Sequence, residues 1–315
     1  MLIDAKELMP NLERAAILSE ARSFDPLTRL TEFSDRFPFA IQILRIGGVH
    51  PTEDVRMDNP YTGKPHEESF TNIGEHCLAV ASLAQTLAFR LQEKGALSTE
   101  ETELVTSRAL VHDANKRIEI MRRNAVRAGV VEEAYTPKAY ETIRPILETQ
   151  GIDPELINYM EGAGKETGHL SIRDFLMLSD GIPSLVPDRM AEKIIHLADD
   201  MTSTSIPLPG EKPLTFYLTP WERMVASDFP NRYPFLWKEG LAFDTQGEVV
   251  TVQDIETADR SLRWTSPYVY WQPFTSNEIA REIQAIVDPE SQQKPEYFVK
   301  DLVNSALVPN RRILA

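Results

Sequence analysis

Apolar residues recur at spacings of three and four through Ile73, Cys77, Val80, Ala84, Leu87 and Leu91, which is the α-helical period. Strand-like alternation is scarce over the first two thirds of the chain, so the fold must be organised around helices. The pattern predicts a long amphipathic helix through NIGEHCLAVASLAQTLAFRL and further helices near 98–114, 116–129, 137–150, 153–161, 171–179 and 187–203. Together these form an expected core over 71–205. Ahead of it, 1–70 reads as two or three short helices followed by a long loop, because 47–70 is rich in Gly, Pro, Asn and Asp. After Ser205 the composition shifts. Residues 206–275 hold all four tryptophans and half of the aromatic side chains, so 206–315 is expected to pack on the core as an irregular, aromatic-rich region. One small β-hairpin is legible in it, over 241–252, and helices near 276–287 and 294–306 close the chain. The fold class expected is all-α.

Composition narrows the function. With 315 residues, 42% of them hydrophobic, the chain can bury a substantial core. Its 48 acidic against 33 basic residues give a net charge of −15, a field that repels phosphate backbones and disfavours nucleic acid as a partner. No window approaches the ~20 apolar residues needed to span a bilayer, and the start, MLIDAKELMPNLERAA, lacks a basic segment followed by a hydrophobic run. A single cysteine, Cys77, forms no disulfide within one chain, which fits a reducing compartment. The expectation is a cytoplasmic protein with no membrane partner.

Six histidines invite a search for helices that present imidazole and carboxylate groups on one side. His112 and Asp113 end a helix whose preceding Ala-Leu-Val run implies burial, and a buried carboxylate needs a partner. His76 lies on the long helix with positions i+4, i+7 and i+11 in its apolar stripe, so it faces inward. Asp199, beside Ala198 in AEKIIHLADDMTS, also faces the core. A lone inward histidine is more often a satisfied core residue than a ligand. Four such groups on three helices instead describe an N/O site for a divalent metal, with Mn, Co, Fe, Mg, Zn and Ni all compatible and one ion per chain expected.

The order His, His-Asp, Asp, with GEHCLAVASLAQTLA, LVHDANK and IIHLADD around it, resembles the HD-domain superfamily of metal-dependent phosphohydrolases. The resemblance covers residues 71–203, under half of the chain. It implies a helical core holding the metal through His76, His112, Asp113 and Asp199, with Asp200 as an alternative to Asp199. It also implies hydrolysis of a phosphoester of a nucleotide or other small anionic metabolite by metal-activated water, with Asp113 orienting that water. Lys116, one turn past the His-Asp pair, is where many such proteins carry a lysine able to reach a bound phosphate. Some related deoxynucleotidases carry an acid at that place, so their proton-transfer scheme does not transfer. Arg45, in ILRIGG, resembles a phosphate-contacting arginine of those nucleotidases, although the loop that follows is longer here.

Other residues are read from the sequence directly. His169, in a Gly-rich loop, is a candidate proton donor or phosphate contact, with an idle loop histidine as its alternative. The run KRIEIMRRNAVR, 116–127, has net charge +4 and an apolar face of Ile118, Met121 and Ala125. It is either a solvated face or a short-range funnel that makes Arg122 a substrate contact. GAGKETG is not a phosphate-binding P-loop, since Tyr159 stands where the first glycine is required and no Ser or Thr follows Lys165. Two other functions fit the same pattern: an HD module that binds a nucleotide or protein without turnover, and a di-iron oxygenase. The oxygenase requires two further histidines between Asp113 and Asp199, where the chain supplies His169 and, at the expected place of another, Glu161.

Overall fold

The computed structural model describes residues 23–53, 55–65, 70–166, 186–204, 215–220, 222–223, 243–244, 264–265 and 267–307. Among them the chain is mostly helical. A two-residue strand β1 (Ser23–Phe24) and a 3-10 turn (Pro26–Arg29) lead into α1 (Leu30–Arg36) and α2 (Pro38–Ile46). The helical series continues with α3 (Thr71–Glu93), α4 (Thr99–Val111), α5 (Lys116–Arg127), α6 (Ala139–Thr149), α7 (Pro154–Glu166) and α8 (Met190–Met201). Short strands β2 (Thr202–Thr204) and β3 (Thr215–Tyr217) follow, and α9 (Pro267–Val287) and α10 (Pro295–Leu307) complete the described chain. The helix expected over 171–179 lies outside the described residues. No described helix is long and apolar enough to cross a membrane.

The helix carrying His76 departs from expectation in one respect: it is not amphipathic. From Cys77 to Gln85 every residue of α3 is buried, and Leu87, Ala88 and Leu91 are buried beyond them. A helix apolar all round belongs at the centre of a bundle, and α3 is packed by α4, α8, α9, α10 and the turn Pro26–Arg29. Arg29 reaches Gln85 on its surface at 2.5 Å.

α4 packs against α3 as an antiparallel neighbour across the short connection 94–98. Its start is fixed by Ser98, which accepts from the Glu101 amide while the Glu101 carboxylate accepts from the Ser98 amide, a reciprocal cap that satisfies two otherwise orphaned donors. Its end is abrupt. His112 is the C-cap, a turn runs through Asp113, Ala114 and Asn115, and α5 begins at Lys116.

Among the described residues two small sheets accompany the bundle, where the sequence points to a single hairpin. In the first, β3 lies between β1 and β2, antiparallel to both, with Ser23 opposite Phe216 and Thr202 opposite Tyr217. Tyr217 donates its hydroxyl to Ala79 O at 2.9 Å and so locks β3 onto the central helix. In the second, β4 (Phe243–Asp244) pairs antiparallel with β5 (Trp264–Thr265). The expected hairpin pairs 242–243 with 248–252 across a turn at 244–247. The observed partner is more distant in sequence, and 245–263 lie outside the described residues.

The 47–70 segment is less of a surface loop than its composition suggests. Val49, His50 and Pro51 are buried, and close backbone approach explains Gly47 in this segment and Gly74 on the facing helix α3. A β-carbon on Gly47 would overlap Ala114 O, and one on Gly74 would overlap Val49 O. Because the obstructing atoms are backbone, neither clash can be relieved by a rotamer change. Gly47→Ala is therefore expected to cost about 1–3 kcal/mol, the usual range for overpacking, read as a lowered urea midpoint with an unchanged slope. Equal midpoints would show that the loop yields freely.

Candidate metal centre

Three elements converge on one point. α3 supplies His76, the end of α4 supplies His112, and the last turn of α8 supplies Asp199. His76 Nε2 lies 3.0 Å from Asp199 Oδ1, His112 Nε2 lies 3.8 Å from the same oxygen, and the two imidazole centroids are 5.3 Å apart. One ligand atom from each residue falls within 4.8 Å of the others, a group that could hold a metal ion. All three side chains are largely buried, with 8–19% of their surface exposed.

The donor chemistry fits a cation. His112 Nδ1–H donates to Ala109 O at 2.8 Å, which leaves the lone pair of the neutral ring on Nε2. That nitrogen is buried with no hydrogen-bond partner, an expensive condition for a polar atom. A ligating histidine whose other nitrogen is fixed by a carbonyl is the common arrangement at metal sites. Two imidazole nitrogens and a carboxylate oxygen suit a borderline divalent ion.

Electrostatics keep the carboxylates ready. Burial would raise Asp199, but the hydrogen bond from His76 and the charges of Arg223 and His112 hold it well below the ordinary range. Burial likewise opposes charge on His112, yet Cys77, Asp113 and Asp199 outweigh it and push the imidazole up to about 9. At neutral pH the ion-free pocket thus holds a proton that a metal must displace. Apparent Mn²⁺ affinity should rise about tenfold per pH unit from 7 and level off near 9, with about one proton released per ion, measurable by calorimetry in buffers of different ionisation enthalpy. Uptake without proton release, independent of pH, would contradict this.

The remaining sequence candidates are distributed unevenly. Asp113 is not part of the converging group. Its carboxylate faces Lys116 Nζ at 3.5 Å, although it lies near enough to His112, His76 and Asp199 for their charges to act on it. Burial would raise its carboxyl, but Lys116 and His112 prevail and hold it below the usual range. Asp113 above all raises the Lys116 ammonium, which stays charged at any working pH. Asp200 points away from the triad. Its Oδ2 accepts from Ser276 Oγ at 2.6 Å and meets fully buried His196 at 3.3 Å, so Asp199, not Asp200, joins the two histidines.

The two arginines expected at substrate have other partners. Arg45 is half exposed and forms a two-pronged pair with Glu53, both contacts at 2.7 Å, which occupies the fork that a phosphate would need. Arg122 donates to the carbonyls of Glu133, Thr136 and Pro137. Thr136 and Pro137, which it holds, line a groove of about 600 Å³ that includes Tyr61 and Tyr135 and none of the triad. The basic run 116–127 is therefore not a uniform funnel. Ile118, Met121 and Ala125 form its buried face as expected, but Arg117 is buried with them, 1% exposed. Its guanidinium donates to Gly48 O and Val55 O at 2.8 and 2.5 Å and stacks over Phe70. His169 lies outside the described residues, and of the Glu161 side chain nothing is described.

Comparison with protein-family models, with curated proteins and with solved structures gave no match for this chain. The geometry of the site therefore carries the functional reading.

One charged neighbour of the triad is not foreseen from the sequence. Arg223, beyond β3, brings its guanidinium to 3.9 Å from Asp199 Oδ1 and 3.4 Å from Asp200 Oδ1. A signal was present in Thr219-Pro-Trp-Glu222, a capping-box pattern. The structure realises it: the Thr219 amide donates to Glu222 Oε2 at 2.8 Å and the Glu222 amide to Thr219 Oγ1 at 3.2 Å. That pattern marks a helical turn beginning just before Arg223, though not what the turn faces.

Proposed function

We propose that this chain is a metal-dependent phosphohydrolase acting on a small phosphoester, a reading in keeping with the HD-like order of His76, His112-Asp113 and Asp199. The observation that carries it is the convergence on Asp199 Oδ1 of His76 Nε2, at 3.0 Å, and of the buried His112 Nε2, at 3.8 Å. A divalent ion held by these three residues would supply Lewis acidity and a water acidified toward neutrality.

The chain's own residues do the rest. Ala109 O fixes the orientation of the His112 ring, so only the Nε2 proton has to leave when an ion arrives. The Asp113 carboxylate, held ionised beside the pocket, would orient a water or add a ligand to the ion. Lys116, 3.5 Å from it, carries a fixed positive charge that stabilises negative charge developing on phosphoryl oxygens. The burial of the pocket strengthens each of these interactions relative to water.

Full-length protein supplied with Mn²⁺ or Co²⁺ is expected to release phosphate from at least one member of a panel of nucleotides and sugar phosphates. Asp199→Asn, which keeps the shape and removes the charge, should abolish the release. Equal rates for wild type and variant across the panel would overturn the proposal.

A further inference from the structure

We infer that Arg223 is an anion-contacting residue of this same site, and that its ligand is the terminal phosphate of a phosphomonoester. The inference rests on the reading of the triad as a metal centre. It begins from how differently Arg223 is held from three other part-buried cations. Arg108 meets Glu192 at 2.7 Å, and Lys193 and Lys300 meet Glu282 and Glu222 at 2.6 Å each, the lengths of mature charge-assisted bonds. Arg223 instead brings its guanidinium to 3.4 and 3.9 Å from two consecutive carboxylates, and among the described residues that group has no shorter polar contact. Its fork is aimed but not consumed.

The segment bearing it is nevertheless firmly set. Glu222 is gripped by Lys300 from α10, at 2.6 and 2.8 Å, as well as by the Thr219 amide. Asp200, the nearer carboxylate, is itself fixed by Ser276 from α9 and by His196. Three elements thus determine where a loosely bonded guanidinium stands, and it stands beside the oxygen on which both triad histidines converge. Asp200 is a positioning residue in this scheme. Arg223 is the group that touches ligand.

The number of cationic contacts selects the ligand. Lys116 approaches the site from α5, Arg223 from the turn after β3, and the triad offers a third positive centre when an ion is bound. A phosphomonoester has three non-bridging oxygens, one for each. A diester has only two, so one of the three contacts would go unmade. A planar guanidinium also suits a tetrahedral oxyanion better than a point charge does.

The test uses inorganic phosphate as probe and the full chain, by titration calorimetry at fixed ionic strength, with and without saturating Mn²⁺. Arg223→Gln should weaken phosphate binding to the Mn²⁺-loaded protein by at least about tenfold, the scale of a lost charge-assisted contact, while Mn²⁺ affinity changes less than about threefold. Arg223→Lys, which preserves the counter-charge of Asp200 and guards against a folding defect, should lose several-fold and recover part of the difference. A dialkyl phosphate should bind the wild type more weakly than phosphate and respond less to either substitution. Phosphate affinity equal to wild type in both variants would make Arg223 only the counter-ion of Asp200 and overturn the inference. Should wild type take up no Mn²⁺, the hydrolase reading fails by itself; phosphate binding to the metal-free chain that depends on Arg223 would then still support its role, and absence of phosphate binding would end it.

Discussion

His112→Ala is expected to weaken Mn²⁺ binding by more than about 100-fold, since the loss of a group that merely orients a ligand already costs 10–100-fold. The protein should stay folded, because the substitution gives up one hydrogen bond, to Ala109 O, and leaves Asp199 with both His76 and Arg223. Arg45→Ala makes the contrasting control. Arg45 is paired with Glu53 on the surface, and its loss should leave Mn²⁺ affinity within about twofold of wild type and stability within about 1 kcal/mol. Calorimetric titration of the three proteins distinguishes these outcomes. An alanine variant at His112 that binds Mn²⁺ as wild type does would remove that residue from the centre.

Glu192→Ala is expected to destabilise the fold by about 3–5 kcal/mol, more than the overpacking at Gly47. Glu192 and Arg108 form an ion pair at 2.7 Å, with only 6% and 11% of their side chains exposed, and the guanidinium also stacks on Tyr159. Truncating the acid strands a buried cation between α4 and α8. The same pair sets the spacing of the two helices that deliver His112, one turn beyond Arg108, and Asp199, so metal affinity should fall together with the denaturation midpoint. The double variant Arg108→Met with Glu192→Leu replaces the pair by apolar volume and should recover most of the stability. If the single and double variants were equally destabilised, the cost would lie in packing and not in an uncompensated charge.

The triad was legible because each member breaks an apolar helical pattern: a histidine inside α3, a histidine at the end of Ala-Leu-Val, and an aspartate after Leu-Ala. Polar groups at core-facing positions demand partners, and periodicity is enough to find them. Asp199 and Asp200 were harder to separate because they are adjacent; the partners that distinguish them, His76 on one side and Ser276 on the other, come from distant parts of the chain. Arg117 and Arg122 were hidden for a related reason. In the sequence they are members of one basic run, whereas in the fold one guanidinium fills the interior against Phe70 and the carbonyls of the 47–58 loop, and the other caps a neighbouring turn. Strands of two or three residues such as β1 and β3 are too short to show alternation, so the sheet that carries the chain toward Arg223 left no trace. The all-round burial of α3 shows only as an unusually long absence of charge between His76 and Phe89.

The central claim is that His76, His112 and Asp199 grip one cation. Crystals grown with Mn²⁺ and measured for anomalous scattering test it most directly. A single strong peak is expected within bonding distance of His76 Nε2, His112 Nε2 and an Asp199 oxygen, with the direct His76–Asp199 hydrogen bond opened to admit it. An intact His76–Asp199 bond with no peak between the imidazoles, at Mn²⁺ concentrations that load ordinary divalent sites, would contradict it.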